Sequence, residues 1–154
     1  MAPMNTFANI PIAVIEPTHL KGLNLAMTLM HEIQFMLKTL LDSGQNGTLD
    51  LRALPSLGEE GYQFLKEKLG IGEVSAHIQS FGRSDVQETT FPGIWWVSHY
   101  NQDDDILTEL IEVNYYPELL KSPRDDVVLG QAGLANLCKY SFNPSTKITQ
   151  PARV

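Results

Sequence analysis

The 154-residue chain contains a single cysteine, Cys138. One thiol can form neither an internal disulfide nor a multi-cysteine zinc or iron–sulfur site. Cys138 stands in an apolar, helix-like run and reads as a small buried hydrophobe. Basic residues are also scarce: 11 Lys and Arg stand against 18 Asp and Glu, a net charge of -7. That deficit argues against nucleic-acid binding, which needs a basic face to meet phosphates, and it suits a basic protein partner. No apolar stretch approaches the roughly 20 residues that a membrane-spanning helix needs. The first residues, MAPMNTFANIPIAVIEP, have no basic region ahead of their apolar run and do not read as a signal peptide. The expected location is the cytoplasm. Internal repeats and low-complexity segments are missing too, and the length suits one domain with tails.

Catalytic signatures are equally sparse. His31-Glu32 begins like a zinc-protease helix, but position 35, where the second histidine belongs, is Phe. Gly70-Ile71-Gly72 follows a helical pattern rather than a strand, which suits a helix stop better than a phosphate loop. No G-x-S-x-G is present. The acidic run Asp103-Asp104-Asp105 lacks the alternating ligand spacing of a calcium loop and reads as a turn. Glu88 and Glu109 could face each other on adjacent strands. His77 and His99 could also meet on neighbouring strands and, with Glu109, serve a small metal-dependent enzyme. The leading expectation is nonetheless no catalytic residue, no metal and no cofactor, with a surface as the working part.

What is present is a well-patterned set of elements. An extended N-terminal arm covers 1–20, since Pro11 and Pro17 oppose a helix there. Asn24 is a reasonable N-cap for a helix over about 25–42, whose apolar stripe is Ala26, Leu29, Met30, Ile33, Leu37, Leu40 and Leu41, with Gly44 as the stop. Residues 48–52 form a short strand. Ser56 and Glu59 spell a capping box for a helix over about 57–69, with Leu57, Tyr62, Leu65 and Leu69 on one side. From residue 73 the period changes to two. Strands follow at 73–79, 86–99 and 106–115, separated by turns at 82–85 and 101–105. Pro92-Gly93 interrupts the middle strand as a bulge or edge. Ser122-Pro123 opens a last helix to about 139. The class is α+β, in one domain over 21–140: a largely antiparallel sheet, made of a three-stranded meander and one or two short strands, with helices packed on one face. Residues 141–154 have no periodicity and read as a mobile tail. A second copy could pair through the exposed strand edge and the methionine-bearing first helix, giving a homodimer.

Trp95 and Trp96 are adjacent, so in a strand they point to opposite faces. One should enter the core; the other is either offered to solvent, where a tryptophan is a natural interface anchor, or covered by helices on the second face or by the N-terminal arm. Five phrases in series carry a resemblance: MHEIQFMLKTLLDSG (30–44), TLDLRALP (48–55), LGIGEVSAHI (69–78), QETTFPGIWWV (87–97) and LIEVNYYPELLKSPRDDV (110–127). In this order and spacing they resemble the hydrogenase expression/formation proteins of the HupH/HyaF/HoxQ type. The resemblance implies an accessory protein in nickel–iron uptake hydrogenase maturation and not an enzyme. It implies a chaperone role: holding the precursor of the iron–sulfur small subunit before twin-arginine export, alongside other maturation proteins. The expected partner surface comprises Glu88, Trp95, Trp96, His99 and Glu112.

Overall fold

The structure, a computed structural model, describes residues 17–79 and 82–140. Residues 1–16 of the expected arm and the expected tail from 141 lie outside the described residues, while residues 17–20, expected in the arm, are helical. Helix α1 (Pro17–Ser43) starts a full two turns earlier than Asn24. Pro17 is its first residue, where proline is tolerated because the amide it lacks has no intrahelical partner. Gly44 ends the helix with a positive φ of 74°, and its amide donates to the Leu40 carbonyl at 2.8 Å. A short strand β1 (Gly47–Asp50) follows. A 3₁₀ turn (Pro55–Leu57) leads into α2 (Gly58–Leu69). The expected capping box does not form, because Ser56 lies inside that turn and no side chain caps the helix.

The sheet has five strands in the order β1-β5-β4-β3-β2, every pair antiparallel. Its remaining members are β2 (Ser75–Gln79), β3 (Arg83–Glu88), β4 (Ile94–Tyr100) and β5 (Ile106–Val113). The meander therefore has four strands, not three. Residues 86–99 are two strands joined by a hairpin turn at Pro92-Gly93, where Gly93 has φ +87° and the Thr89 amide reaches the Ile94 carbonyl at 2.9 Å. The segment 83–85, expected as a turn, already belongs to β3.

Helices α1 and α2 cover one face of this sheet. Ala26, Leu29, Ile33 and Leu40 from α1 and Leu65 and Leu69 from α2 pack with Ile94, Trp96, Ile111 and Val113. Met30, Met36 and Leu37 fill the margin of that core, while Leu41, expected on the same stripe, is exposed. The helices approach closely at Gly22 and Gly61: a Cβ on Gly61 would lie 2.6 Å from the Gly22 carbonyl oxygen and 2.8 Å from Leu57 Cδ1. A smaller cluster of Val86, Trp95 and Val97, with Ala76 and Leu110 against it, occupies the opposite face. Residues 118–140 form a unit of their own: a 3₁₀ turn (Glu118–Leu120) and helix α3 (Arg124–Tyr140). Cys138, expected to be buried, is exposed on α3. Among the described residues, no helix is long and apolar enough to cross a membrane.

Candidate functional site

The two tryptophans obey the alternation, but neither is offered to solvent. Trp95 is 6% and Trp96 8% accessible. Each indole N–H is satisfied internally: Trp95 Nε1 donates to the Asn114 carbonyl and Trp96 Nε1 to Glu109 Oε1, both at 3.0 Å. The expectation of an exposed tryptophan anchor is thus corrected. The β4 strand is the centre of a five-stranded sheet with an apolar cluster on each side, so both of its faces are interior. Glu112 is buried as well, at 7%, and accepts from the Asn114 side chain at 3.1 Å. Of the five residues expected on a partner surface, Glu88 and His99 are half-buried and reach solvent.

Strand register resolves the histidines. On the helix-covered face, His77, Asp85, Ser98 and Glu109 fall side by side across β2, β3, β4 and β5. His99 pairs with Ser84 and lies on the other face, its Nδ1 2.9 Å from Ser84 Oγ. His77 and His99 therefore share no site with Glu109, and the alternative of a metal-dependent enzyme lacks its ligand geometry. No group of three or more His, Cys, Asp or Glu among the described residues could hold a metal ion. Glu88 and Glu109 do not pair either, because β4 runs between their strands.

The polar row changes character along its length. At the edge, His77 Nδ1 sits 2.8 Å from Asp85 Oδ1, in reach of solvent. At the inner end, Glu109 is 3% accessible, and its Oε1 accepts from Tyr62 Oη at 2.9 Å, Trp96 Nε1 at 3.0 Å and Ser98 Oγ at 3.2 Å. A buried carboxylate requires such donors, since loss of water would otherwise be uncompensated. Burial pushes the Tyr62 phenol well above its ordinary range, and the hydrogen bond to Glu109 adds to the rise. Tyr62 also meets Trp96 edge-on, with ring centroids 5.5 Å apart, and Lys66 Nζ lies over both rings at 5.0 and 5.3 Å.

Between α2 and the inner face of β2–β4 lies a cleft of about 670 Å³. Its floor is Trp96 with Ser98 and Gln87; Lys66, Glu67 and Ile71 line the helix side, and His77 and Asp85 line the strand side. The cleft exists because α2 packs over the centre of the sheet and leaves β2 and β3 uncovered. Apolar area with a few converging polar groups is the usual make-up of a recognition site. The sequence pattern points to the tryptophans, His77 and Glu109, but not to Tyr62, Lys66, Asp85 or Gln87 as site residues. Helical spacing places Tyr62 and Lys66 on one side of α2, four residues apart, the one signal that could have drawn them together.

Residues 23–141 match the family described as HupH hydrogenase expression protein, C-terminal conserved region. Among individual proteins, the chain is 33% identical over 119 residues to the hydrogenase expression/formation protein HoxQ of Cupriavidus necator, covering 77% of this chain and 40% of that one. It is 30% identical over 79 residues to HoxQ of Azotobacter vinelandii, covering 51% of this chain and 28% of that protein. The chain thus spans well under half the length of these relatives. A solved structure, the hydrogenase expression protein HupH from Thiobacillus denitrificans, superposes with a TM-score of 0.71 at 41% identity, over 75% of this chain and 96% of that one.

Proposed function

The chain belongs to the HupH hydrogenase expression protein family, and on that premise we propose that it binds the precursor of the iron–sulfur small subunit of a nickel–iron uptake hydrogenase in the cytoplasm, before twin-arginine export. The observation that carries this reading is the family match over 23–141, which takes in every described strand. The relatives are named for hydrogenase expression and formation, and a role in hydrogenase maturation follows from membership. The role is one of binding, with no reaction assigned to it. The net charge of -7 supports it physically, because a twin-arginine signal segment is basic and complementary charge speeds encounter and selects partners. Glu88 and His99 remain the accessible members of the expected partner surface. Trp95, Trp96 and Glu112 contribute by holding the sheet rigid from inside.

The test is co-purification. Tagged chain expressed beside a small-subunit precursor that keeps its signal segment should retain the precursor through washing at moderate salt. Recovery of the chain alone, from cells that accumulate soluble precursor, would remove the reading.

A further inference from the structure

Strand β2 ends the sheet, and nothing in its composition blunts it: Ser75–Gln79 reads SAHIQ, without lysine or proline. The direction of its free hydrogen-bonding groups follows from register. The Glu88 amide donates to the Val74 carbonyl at 2.8 Å, so Val74 turns its backbone toward β3. Antiparallel ladders alternate. Ala76 and Ile78 therefore also face β3, and Ser75, His77 and Gln79 point their N–H and C=O groups outward.

The approach to this edge is apolar and firmly held. Ile71 is 76% and Val74 47% exposed, on the loop that enters β2. The Gln87 side-chain amide lies 3.0–3.2 Å from the carbonyls of Gly72, Val74 and Glu88, and the Gly72 amide donates to Glu88 at 2.7 Å. Two exposed aliphatics are thus displayed on a pinned loop, beside a cleft floored by Trp96. Three carboxylates frame them. Glu67 and Ile71 line that cleft, and Glu73 and Glu88 line a second hollow that also includes Ile71. The nearby Lys66 is turned inward over the Tyr62 and Trp96 rings, while Lys68 makes an exposed 3.4 Å pair with Glu67 that a basic partner side chain would displace.

We propose that β2 accepts an extended segment of the partner polypeptide as a sixth strand, with apolar side chains set against Ile71, Val74 and the cleft floor and basic side chains against Glu67, Glu73 and Glu88. Main-chain bonds to Ser75, His77 and Gln79 supply affinity, and the cleft and its carboxylates supply selectivity. The proposal rests on the reading that a small-subunit precursor is the partner, and it adds where and in what conformation that partner is held.

Ser75→Pro is the direct probe, because it deletes one outward N–H while leaving every bond to β3 in place. Precursor binding should weaken at least tenfold with the melting midpoint held within a few degrees. Glu73→Lys should weaken it several-fold. Amide hydrogen exchange on the unaltered chain supplies a readout free of folding artefacts: precursor should slow exchange at Ser75, His77 and Gln79. Equal binding by wild type and Ser75→Pro, or no slowing at those amides, overturns the strand addition and leaves the proposed function standing. A precursor that fails to bind wild-type chain overturns both. A dimer in which the same amides are already protected without precursor assigns the edge to a second copy and overturns the proposal.

Discussion

Glu109 offers one carboxylate oxygen to three donors from two elements, and that concentration makes it a sensitive polar position. Glu109→Ala would leave the buried Trp96 and Ser98, and the half-buried Tyr62, without their acceptor. The expected loss is about 3 kcal/mol, read as a drop of roughly 10 °C in the melting midpoint. Glu109→Gln keeps a carbonyl acceptor and should lose clearly less; equal losses would show that the network is not what holds this region. Trp95→Ala should cost about 3–5 kcal/mol of stability, the signature of an interior residue; a stable variant that only binds partners poorly would restore the anchor role. Tyr62 carries a pH dependence. A free tyrosine loses its proton near pH 10, but the native chain keeps Tyr62 protonated beyond that, because of burial and then the bond to Glu109. Between those two points the unfolded chain holds fewer protons than the native one. The contribution is therefore complete below about pH 10 and declines as pH rises further. Denaturant titrations stepped through that range should show the decline, and Tyr62→Phe should flatten it.

At the scale of elements, two glycines make opposite predictions. Gly61 sits where α2 crosses α1, and Gly61→Ala would press a methyl against the Gly22 carbonyl and Leu57. Backbone cannot give way cheaply, so a loss of about 2 kcal/mol is expected. Gly130 lies in α3 with nothing within 4 Å of the place a methyl would occupy, and Gly130→Ala should strengthen that helix by about 0.5–1 kcal/mol, seen as slower amide exchange along 124–140. Most elements are legible in the sequence because local pattern sets them: the α1 stripe, the Gly44 stop and the strict alternation after residue 73. The differences have local causes too. Proline opposes a helix interior, yet Pro17 stands at the one helical position that welcomes it. Pro92-Gly93 fits a bulge inside one strand, but a Pro-Gly pair between two apolar runs is equally a turn signal, and the turn is what forms. The cleft is not legible at all. It depends on where α2 lands on the sheet, and the polar row from His77 to Glu109 emerges only when four strands are placed in register.

For the molecule as a whole, charge is the property that acts at a distance. With a net charge of -7, capture of a basic partner should be steered, and steering fades as the screening length shrinks from about 30 Å at 0.01 M to about 8 Å at 0.15 M salt. Stopped-flow association with the proposed precursor partner should slow roughly tenfold over that interval while dissociation changes little; a flat association rate would deny electrostatics any part in the encounter. The placement of the two indoles has a practical corollary. One ring belongs to the cluster beneath the helices, next to Lys66 and the cleft, and the other to the cluster on the reverse of the sheet. The chain thus comes with two built-in fluorophores, one per side. A phenylalanine exchange at either position would leave a single indole, so that quenching of its selectively excited emission by a bound segment could be assigned to the front or the back of the sheet without any label being added.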